Sequence, residues 1–236
     1  MQRILLLEDD LLMQRFVAYA LEDQPFCLTC CESVPQAMIK LSQQDFDWIL
    51  TDLMLPGISG LDFLRLLTER PDLVGAAKVV ALSAGIDASV KQQLLDLGVF
   101  RQLLKPVSIA TLFEVLTETA GTFNAASPHA PLQTAAQSYF DSDLALFNTF
   151  KNLSHAQFTQ DIQNGDHWAC TQDLAALHRL AHSLKSVLLL LGEDQAHAQA
   201  TALEQVARAQ TQTPEIYAAW AALRQSLEGL RDNPRF

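Results

Sequence analysis

The sequence is short of basic side chains: 16 Lys and Arg stand against 27 Asp and Glu, a formal net charge of −11. The deficit holds in both halves, with 9 basic against 16 acidic side chains in residues 1–120 and 7 against 11 in residues 121–236. Nucleic acid and anionic membrane surfaces are bound through clustered Lys and Arg, so neither is expected as a partner, and a protein partner is. Long apolar runs are missing as well. The N-terminus, Met-Gln-Arg-Ile-Leu-Leu-Leu-Glu-Asp-Asp, sets four apolar residues against three acids. That run is too short for a signal-peptide core, and no other stretch approaches the roughly 20 apolar residues of a membrane span. A soluble, cytoplasmic chain is the expectation. Cysteine is scarce: Cys27, Cys30, Cys31 and Cys170 form no even framework. The Cys-x-x-Cys of Cys27 and Cys30 falls in a predicted strand, with no second ligand pair at zinc-site spacing, so the pair is read as reduced packing residues.

What is present changes character along the chain. In the first 120 residues short apolar runs (Ile4–Leu7, Cys27–Cys31, Trp48–Thr51, Lys78–Ser83, Arg101–Leu104) alternate with amphipathic helical stretches such as Leu61–Glu69 and Ile109–Ala120. Continuous apolar runs suit strands covered on both faces, and the strand–helix repeat implies a doubly wound, five-stranded parallel sheet. Residues 121–138 lack periodicity, contain two prolines, and read as a linker. From 139 to 236 no strand pattern returns. Leu144–Phe150, Ala156–Gln163, Gln172–Leu191, Gln195–Gln210 and Pro214–Leu230 read as helices. Gly165 and Gly192 stand where helix ends want positive φ, and Thr213-Pro214-Glu215 forms a helix start. The expected organisation is an α/β domain (1–120), a linker (121–138) and an all-α bundle (139–236).

In a doubly wound fold ligands bind beyond the carboxyl ends of the strands. The residues closing the five runs are Glu8, Asp9 and Asp10, then Asp52, Ser83 and Lys105. Clustered carboxylates suit a hard divalent cation such as Mg2+, which uses one or two carboxylates and keeps several waters. A lysine and a hydroxyl beside them can neutralise and orient a transferring phosphoryl group, with Asp52 as nucleophile.

Ile-Leu-Leu-Leu-Glu-Asp-Asp at 4–10, Thr-Asp-Leu-Met-Leu-Pro-Gly-Ile-Ser-Gly at 51–60, Leu-Ser-Ala at 82–84 and Lys-Pro at 105–106 resemble the receiver domain of two-component response regulators over roughly residues 2–120. The resemblance implies a flavodoxin-like sheet, with Glu8, Asp9, Asp52 and the Met54 backbone carbonyl around Mg2+. It implies Asp52 as phosphoacceptor, Ser83 as switch hydroxyl and Lys105 as phosphoryl contact. A phosphatase of the haloacid dehalogenase type would want a second aspartate where Met54 stands, so turnover of a separate substrate is not expected. One departure concerns the aromatic that receivers commonly carry three residues before the lysine. Here that place holds Gln102, with Phe100 two positions earlier.

Of six histidines, His182 has the most suggestive context. Leu177, Leu180, Ala181, Leu184, Val187, Leu188 and Leu191 gather in an arc about 120° wide, and His182 lies about 160° from its centre, which predicts a solvent-facing ring. Lys185 and Ser186 share its face at i+3 and i+4, and Leu189 adds an apolar spot. The pair His178 and His182 has metal-ligand spacing but no third ligand. Leu-Ala-His-Ser-Leu-Lys-Ser at 180–186, with Gly192 beyond, is similar to the histidine-phosphotransfer domain, whose usual form is His-x-Leu-Lys-Gly; Ser186 replaces the glycine. This likeness, over about residues 140–232, implies a helical phosphotransfer bundle with His182 as second phosphoacceptor and Lys185 as its cation. Together the resemblances imply a phosphorelay protein exchanging phosphoryl groups with an upstream sensor histidine kinase and other receiver or phosphotransfer proteins. The alternative is a phosphorylation-controlled interaction protein whose bundle binds a partner without phosphotransfer.

Overall fold

The computed structural model describes residues 1–83, 88–117, 134–209 and 213–232. The chain divides into two compact units, Met1–Pro128 and His129–Phe236.

In the first unit β1 (Gln2–Leu7), β2 (Phe26–Cys31), β3 (Trp48–Asp52), β4 (Lys78–Ser83) and β5 (Arg101–Leu104) form one sheet in the order β2-β1-β3-β4-β5. Every pairing is parallel. The fold is flavodoxin-like. Its helices are α1 (Leu11–Leu21), α2 (Val34–Gln43), α3 (Gly60–Glu69), the single turn α4 (Pro71–Val74), α5 (Ala88–Asp96) and α6 (Ile109–Thr117). Ile4 to Leu7 are wholly buried, as a central parallel strand requires. Leu5, Leu7, Ile49 and Ala81 meet Val34, Phe63 and Leu67 on one face of the sheet. The strand order turns between β1 and β3; Glu8 follows β1 and Asp52 closes β3 at that switch point.

The second unit contains α7 (Ala135–Tyr139), α8 (Leu144–Thr171), α9 (Leu174–Leu191), α10 (Asp194–Arg208) and α11 (Thr213–Asp232). Three expectations change here. Residues 135–138 are helix rather than linker, opened by a capping box between Thr134 and Gln137, with Ala136 and Tyr139 buried; residues 121–133 lie outside the described ones. The two helices read at 144–150 and 156–163 are one helix of 28 residues. Its buried stripe runs Phe150, Ser154, Phe158, Asp161, Ile162, Gly165, Ala169, a regular helical spacing that polar and small members hide from a hydropathy reading.

Gly165 therefore ends nothing. A Cβ at that position would stand 2.1 Å from the Trp220 ring; glycine lets the indole of α11 lie on the α8 backbone. Asp166 then accepts from Trp220 Nε1 and from Arg224 Nε, each at 2.9 Å. Gly192, by contrast, does end α9, with φ of 76°. Among the described helices α9 alone is long and apolar enough to cross a membrane, 18 residues at mean hydropathy 1.3, and half of it is buried inside the bundle. This corrects the expectation that no stretch nears a span's length. The apolar residues that produce it are the bundle core, Leu177, Leu184, Val187, Leu188 and Leu190 among them.

Gly165→Ala should lower the urea midpoint of the second unit. Overpacking against the rigid indole costs roughly 1–3 kcal/mol, more than the roughly 1 kcal/mol of helix propensity gained. A raised midpoint would show that the indole does not depend on the missing Cβ.

Candidate functional sites

The first site lies at the carboxyl edge of the sheet. Glu8 follows β1 and Asp52 closes β3, 3 % and 2 % exposed, with partly exposed Asp9 beside them. One carboxylate oxygen from each of the three lies within 4.8 Å of the others. Lys105, just past β5, places Nζ 2.5 Å from Glu8 Oε2 and 2.8 Å from Asp52 Oδ2. The Met54 N–H donates to Asp52 Oδ1 at 3.0 Å. Ser83 is buried at the end of β4, one residue beyond Leu82, the register partner of Asp52. The structure thus brings Glu8, Asp9, Asp52, Ser83 and Lys105 to one edge. Asp10 serves the fold instead and caps α1, accepting from the N–H groups of Leu12 and Met13.

Electrostatics at this edge are dominated by burial. Desolvation, with the Asp52 and Asp10 carboxylates adding to it against Lys105, pushes Glu8 up to about 8. Asp9 is raised for the same first reason and then by Asp52. Burial alone would lower Lys105, yet attraction to Glu8 and Asp52 outweighs it and the ammonium is held charged. Three acidic side chains therefore share one cation in a poorly solvated place, and Glu8 gives up its proton only reluctantly there. That cluster of oxygen donors fits a hard divalent cation, with Glu8, Asp9 and Asp52 as candidate ligands; among the described residues they are the sole such group.

One further residue, Gly60, closes the 51–60 motif but was given no role from the sequence. A Cβ on Gly60 would fall 1.9 Å from the Asp52 carbonyl oxygen, and the Gly60 N–H donates to Leu53 O at 3.1 Å. The start of α3 thus rests directly on the backbone of the acid. Gly60→Ala should lower the urea midpoint of the first unit by roughly 1–3 kcal/mol in stability, followed through Trp48; an unchanged midpoint would mean that the loop moves aside freely.

Phe100 does not stand in for the missing aromatic at 102. It precedes β5, packs edge-on to Trp48 at 5.7 Å and lies under Lys78 Nζ at 4.7 Å, while Gln102 sits within the strand. The expectation of packing cysteines is corrected: Cys27 and Cys30 lie exposed on β2, where Cys31 is buried, and all three are free thiols.

The second site is on α9 and α10. His182 Nδ1 lies 2.6 Å from Glu204 Oε1, and Lys185 Nζ donates to Glu204 Oε2 at 2.6 Å. Burial would raise Glu204, but the hydrogen bonds from His182 and Lys185 outweigh it and bring its pKa down to about 2. Ionised Glu204 can only accept, so Nδ1 carries the proton and, in the neutral ring, Nε2 keeps its lone pair. The expectation of a solvent-facing ring is corrected: the side chain is 13 % exposed, and Nε2 is buried without a protein partner. The wheel treated α9 as buried on one side, whereas Ser186 and Leu190 are buried too and α10 packs along it. Leu189 is half-buried. The rings of His178 and His182 are nearly parallel at 6.4 Å.

Glu204 was not found from the sequence, although a signal exists. His182 lies ten residues before Gly192 and Glu204 twelve after it, so a hairpin turning at Gly192 sets them level. Glu204 also adjoins Leu203 in the buried stripe of Ala196, Ala200, Leu203 and Ala207.

A depressed carboxyl stabilises the fold above its unfolded pKa and loses that contribution as pH falls through the folded one. The advantage of wild type over Glu204→Gln in thermal melts should therefore be full above pH 4.5 and disappear towards about 2. An advantage independent of pH across that window would exclude the ionised pairing.

Comparison with known proteins agrees with the first unit's geometry. The model of the response regulator receiver domain matches residues 4–117. The two-component response regulator ORR12 of Oryza sativa subsp. japonica is 32 % identical over 114 residues, 48 % of this chain and 93 % of that protein. The response regulator receiver protein CpdR of Brucella abortus is 37 % identical over 101 residues, 41 % of this chain and 84 % of that protein. The sensory/regulatory protein RpfC of Xanthomonas campestris pv. campestris is 27 % identical over 206 residues, 80 % of this chain but 28 % of that protein. This chain thus spans little more than a quarter of RpfC, and the match is too long to be confined to the first unit's residues 1–128. Through residues 4–117 the chain belongs to the response regulator receiver family, the phosphoryl-accepting domains of two-component signalling.

Proposed function

We propose that this chain is a phosphorelay protein in which Asp52 of the first unit and His182 of the second each accept a phosphoryl group. The observation that carries the reading beyond a receiver is the Glu204 carboxylate holding Nδ1 of His182. The RpfC likeness, which continues past the receiver, supports it.

At the acidic edge, Glu8, Asp9 and Asp52 with the Met54 carbonyl would hold Mg2+, which when bound neutralises phosphoryl oxygens. An Asp52 carboxylate oxygen attacks phosphorus and the donor departs with the bonding pair; no proton needs removal from the nucleophile. Lys105 counters the charge on the transferred group, and the Ser83 hydroxyl donates to one of its oxygens. In transfer to the bundle, the Nε2 lone pair attacks phosphorus of an aspartyl phosphate, on this or another receiver, and the P–O bond to the aspartate breaks. The ring becomes cationic with its proton still on Nδ1. Glu204 offsets that charge as it develops, while Lys185 stands beside it. An upstream sensor histidine kinase and other receiver or phosphotransfer proteins are the partners this chemistry needs.

A second reading has its own support. Nε2 is buried, and a covered nucleophile suits a bundle that binds a partner in response to Asp52 phosphorylation without receiving the group.

Intact-mass analysis after treatment with acetyl phosphate and Mg2+, on wild type, Asp52→Asn and His182→Gln, separates the two. The relay predicts an alkali-labile adduct in wild type and His182→Gln, and an acid-labile one requiring both residues or a phosphorylated partner receiver. Acid-labile label absent under every donor would leave the binding reading. No label of either kind would remove the receiver role.

A further inference from the structure

This inference rests on the relay reading and concerns how a receiver reaches His182. Residues 121–236 carry 7 basic against 11 acidic side chains, so acids to pair with are in surplus. Most of the described bases there are taken: Lys185 by Glu204, Arg224 by Asp166 and Glu228, Arg231 by Asp232. Lys151 has a contact of its own. Arg179 and Arg208 are exposed and make no hydrogen bond or ion pair with a described residue. They stand at the same level of the helix pair. A hairpin turning at Gly192 that sets His182 level with Glu204 also sets His178 level with Arg208, four residues further from the turn on each helix. Arg179 follows His178 and precedes His182 by three residues, on an adjoining part of the same face. Both arginines thus flank the His182–Glu204 contact at its far side from Gly192, about one helical turn away.

Acids are scarce around them. α9 contains no Asp or Glu from Leu174 to Leu191. Besides Glu204, α10 has only Asp194, at the Gly192 end, and Glu204 already accepts from His182 and Lys185. Burial first, opposed by Glu204, and then His182, Arg208 and Lys185 hold His178 below the ordinary value of 6.5, which sets Arg208 among the charges of this face. A cation in the last turn of a helix is favoured by the helix dipole, a local reason for Arg208 at the end of α10. Arg179, near the start of α9, has no such support. We propose that Arg179 and Arg208, with Lys185 beside them, are docking residues that receive the acidic strand edge of a phosphorylated receiver. The first unit shows the chemistry of that partner. Glu8, Asp9 and Asp52 crowd one edge, with Lys105 bonded to two of them, and an aspartyl phosphate adds about −1.5 to −2 charges. Opposite potentials on the two faces raise the encounter rate and fix orientation, and salt weakens both effects.

The test uses full chains throughout. His182→Gln protein, labelled on Asp52 with acetyl phosphate and Mg2+ and then desalted, is the donor. Asp52→Asn protein is the acceptor, and transfer to His182 is followed at low ionic strength and below saturation. Arg179→Glu combined with Arg208→Glu in the acceptor should slow transfer by about tenfold or more. Arg179→Gln with Arg208→Gln should slow it less, and Arg179→Lys with Arg208→Lys should keep most of the rate, because charge is what the encounter needs. The deficit should close as salt rises to about 1 M, where the screening length is about 3 Å; a structural role would leave it open. Transfer unchanged by the charge reversal at low salt, or a deficit that persists at about 1 M salt, overturns the inference while the relay stands. No transfer even to the acceptor with both arginines overturns the inference, and if phosphoramidate also fails to label His182 the relay falls with it.

Discussion

The first unit depends on one buried ammonium. Lys105 is 4 % exposed in its side chain and bonds two carboxylates, Glu8 and Asp52, that arrive on different strands. Burying either acid alone in a parallel sheet edge would be strongly unfavourable, and an unpartnered lysine there would be as well. The pairing therefore ties the ends of β1, β3 and β5 into one constellation. It still leaves the edge short of positive charge, because Asp9 stands beside the pair. That shortfall leaves a cluster of oxygen donors whose chemistry fits a hard divalent cation.

The second unit solves a related problem with the signs exchanged. Glu204 is a carboxylate largely withdrawn from water, made tolerable by two donors from the facing helix. One donor is a lysine and the other an imidazole, whose remaining nitrogen keeps its lone pair in the neutral ring. The same contact that anchors α10 against α9 selects the tautomer, so packing and chemistry share an interaction. The close approach of Trp220 to Gly165 and the Asp166 acceptor lock α8 to α11, while the Glu204 contacts hold α10 to α9.

Much was legible in the residue pattern. Parallel strands buried on both faces must be apolar throughout, so the five strands were readable within a residue or two. The topology then obliges their closing residues to meet at one edge, which made Glu8, Asp9, Asp52, Ser83 and Lys105 readable as a group before any contact was seen. His182 was singled out by its local motif, but its burial and its contact with Glu204 were not readable from α9 alone. The helices of the second unit were less well delimited: Gly165 looks like a terminator in one dimension because its partner, Trp220, lies 55 positions away, and a capping box hid inside a segment that otherwise reads as linker.

By itself the sequence determined the doubly wound sheet, the acids and lysine at its edge and the presence of a helical second unit, because each follows from local periodicity or from the chirality and connectivity of parallel strands. Tertiary structure decided what sits across from what. Whether Asp10 is a ligand or a cap, whether Gly60 and Gly165 are turns or points of contact, and whether His182 is bare or held by a carboxylate 22 residues on are questions of packing between elements. A helical wheel describes one helix and cannot say which of its sides a neighbour will cover.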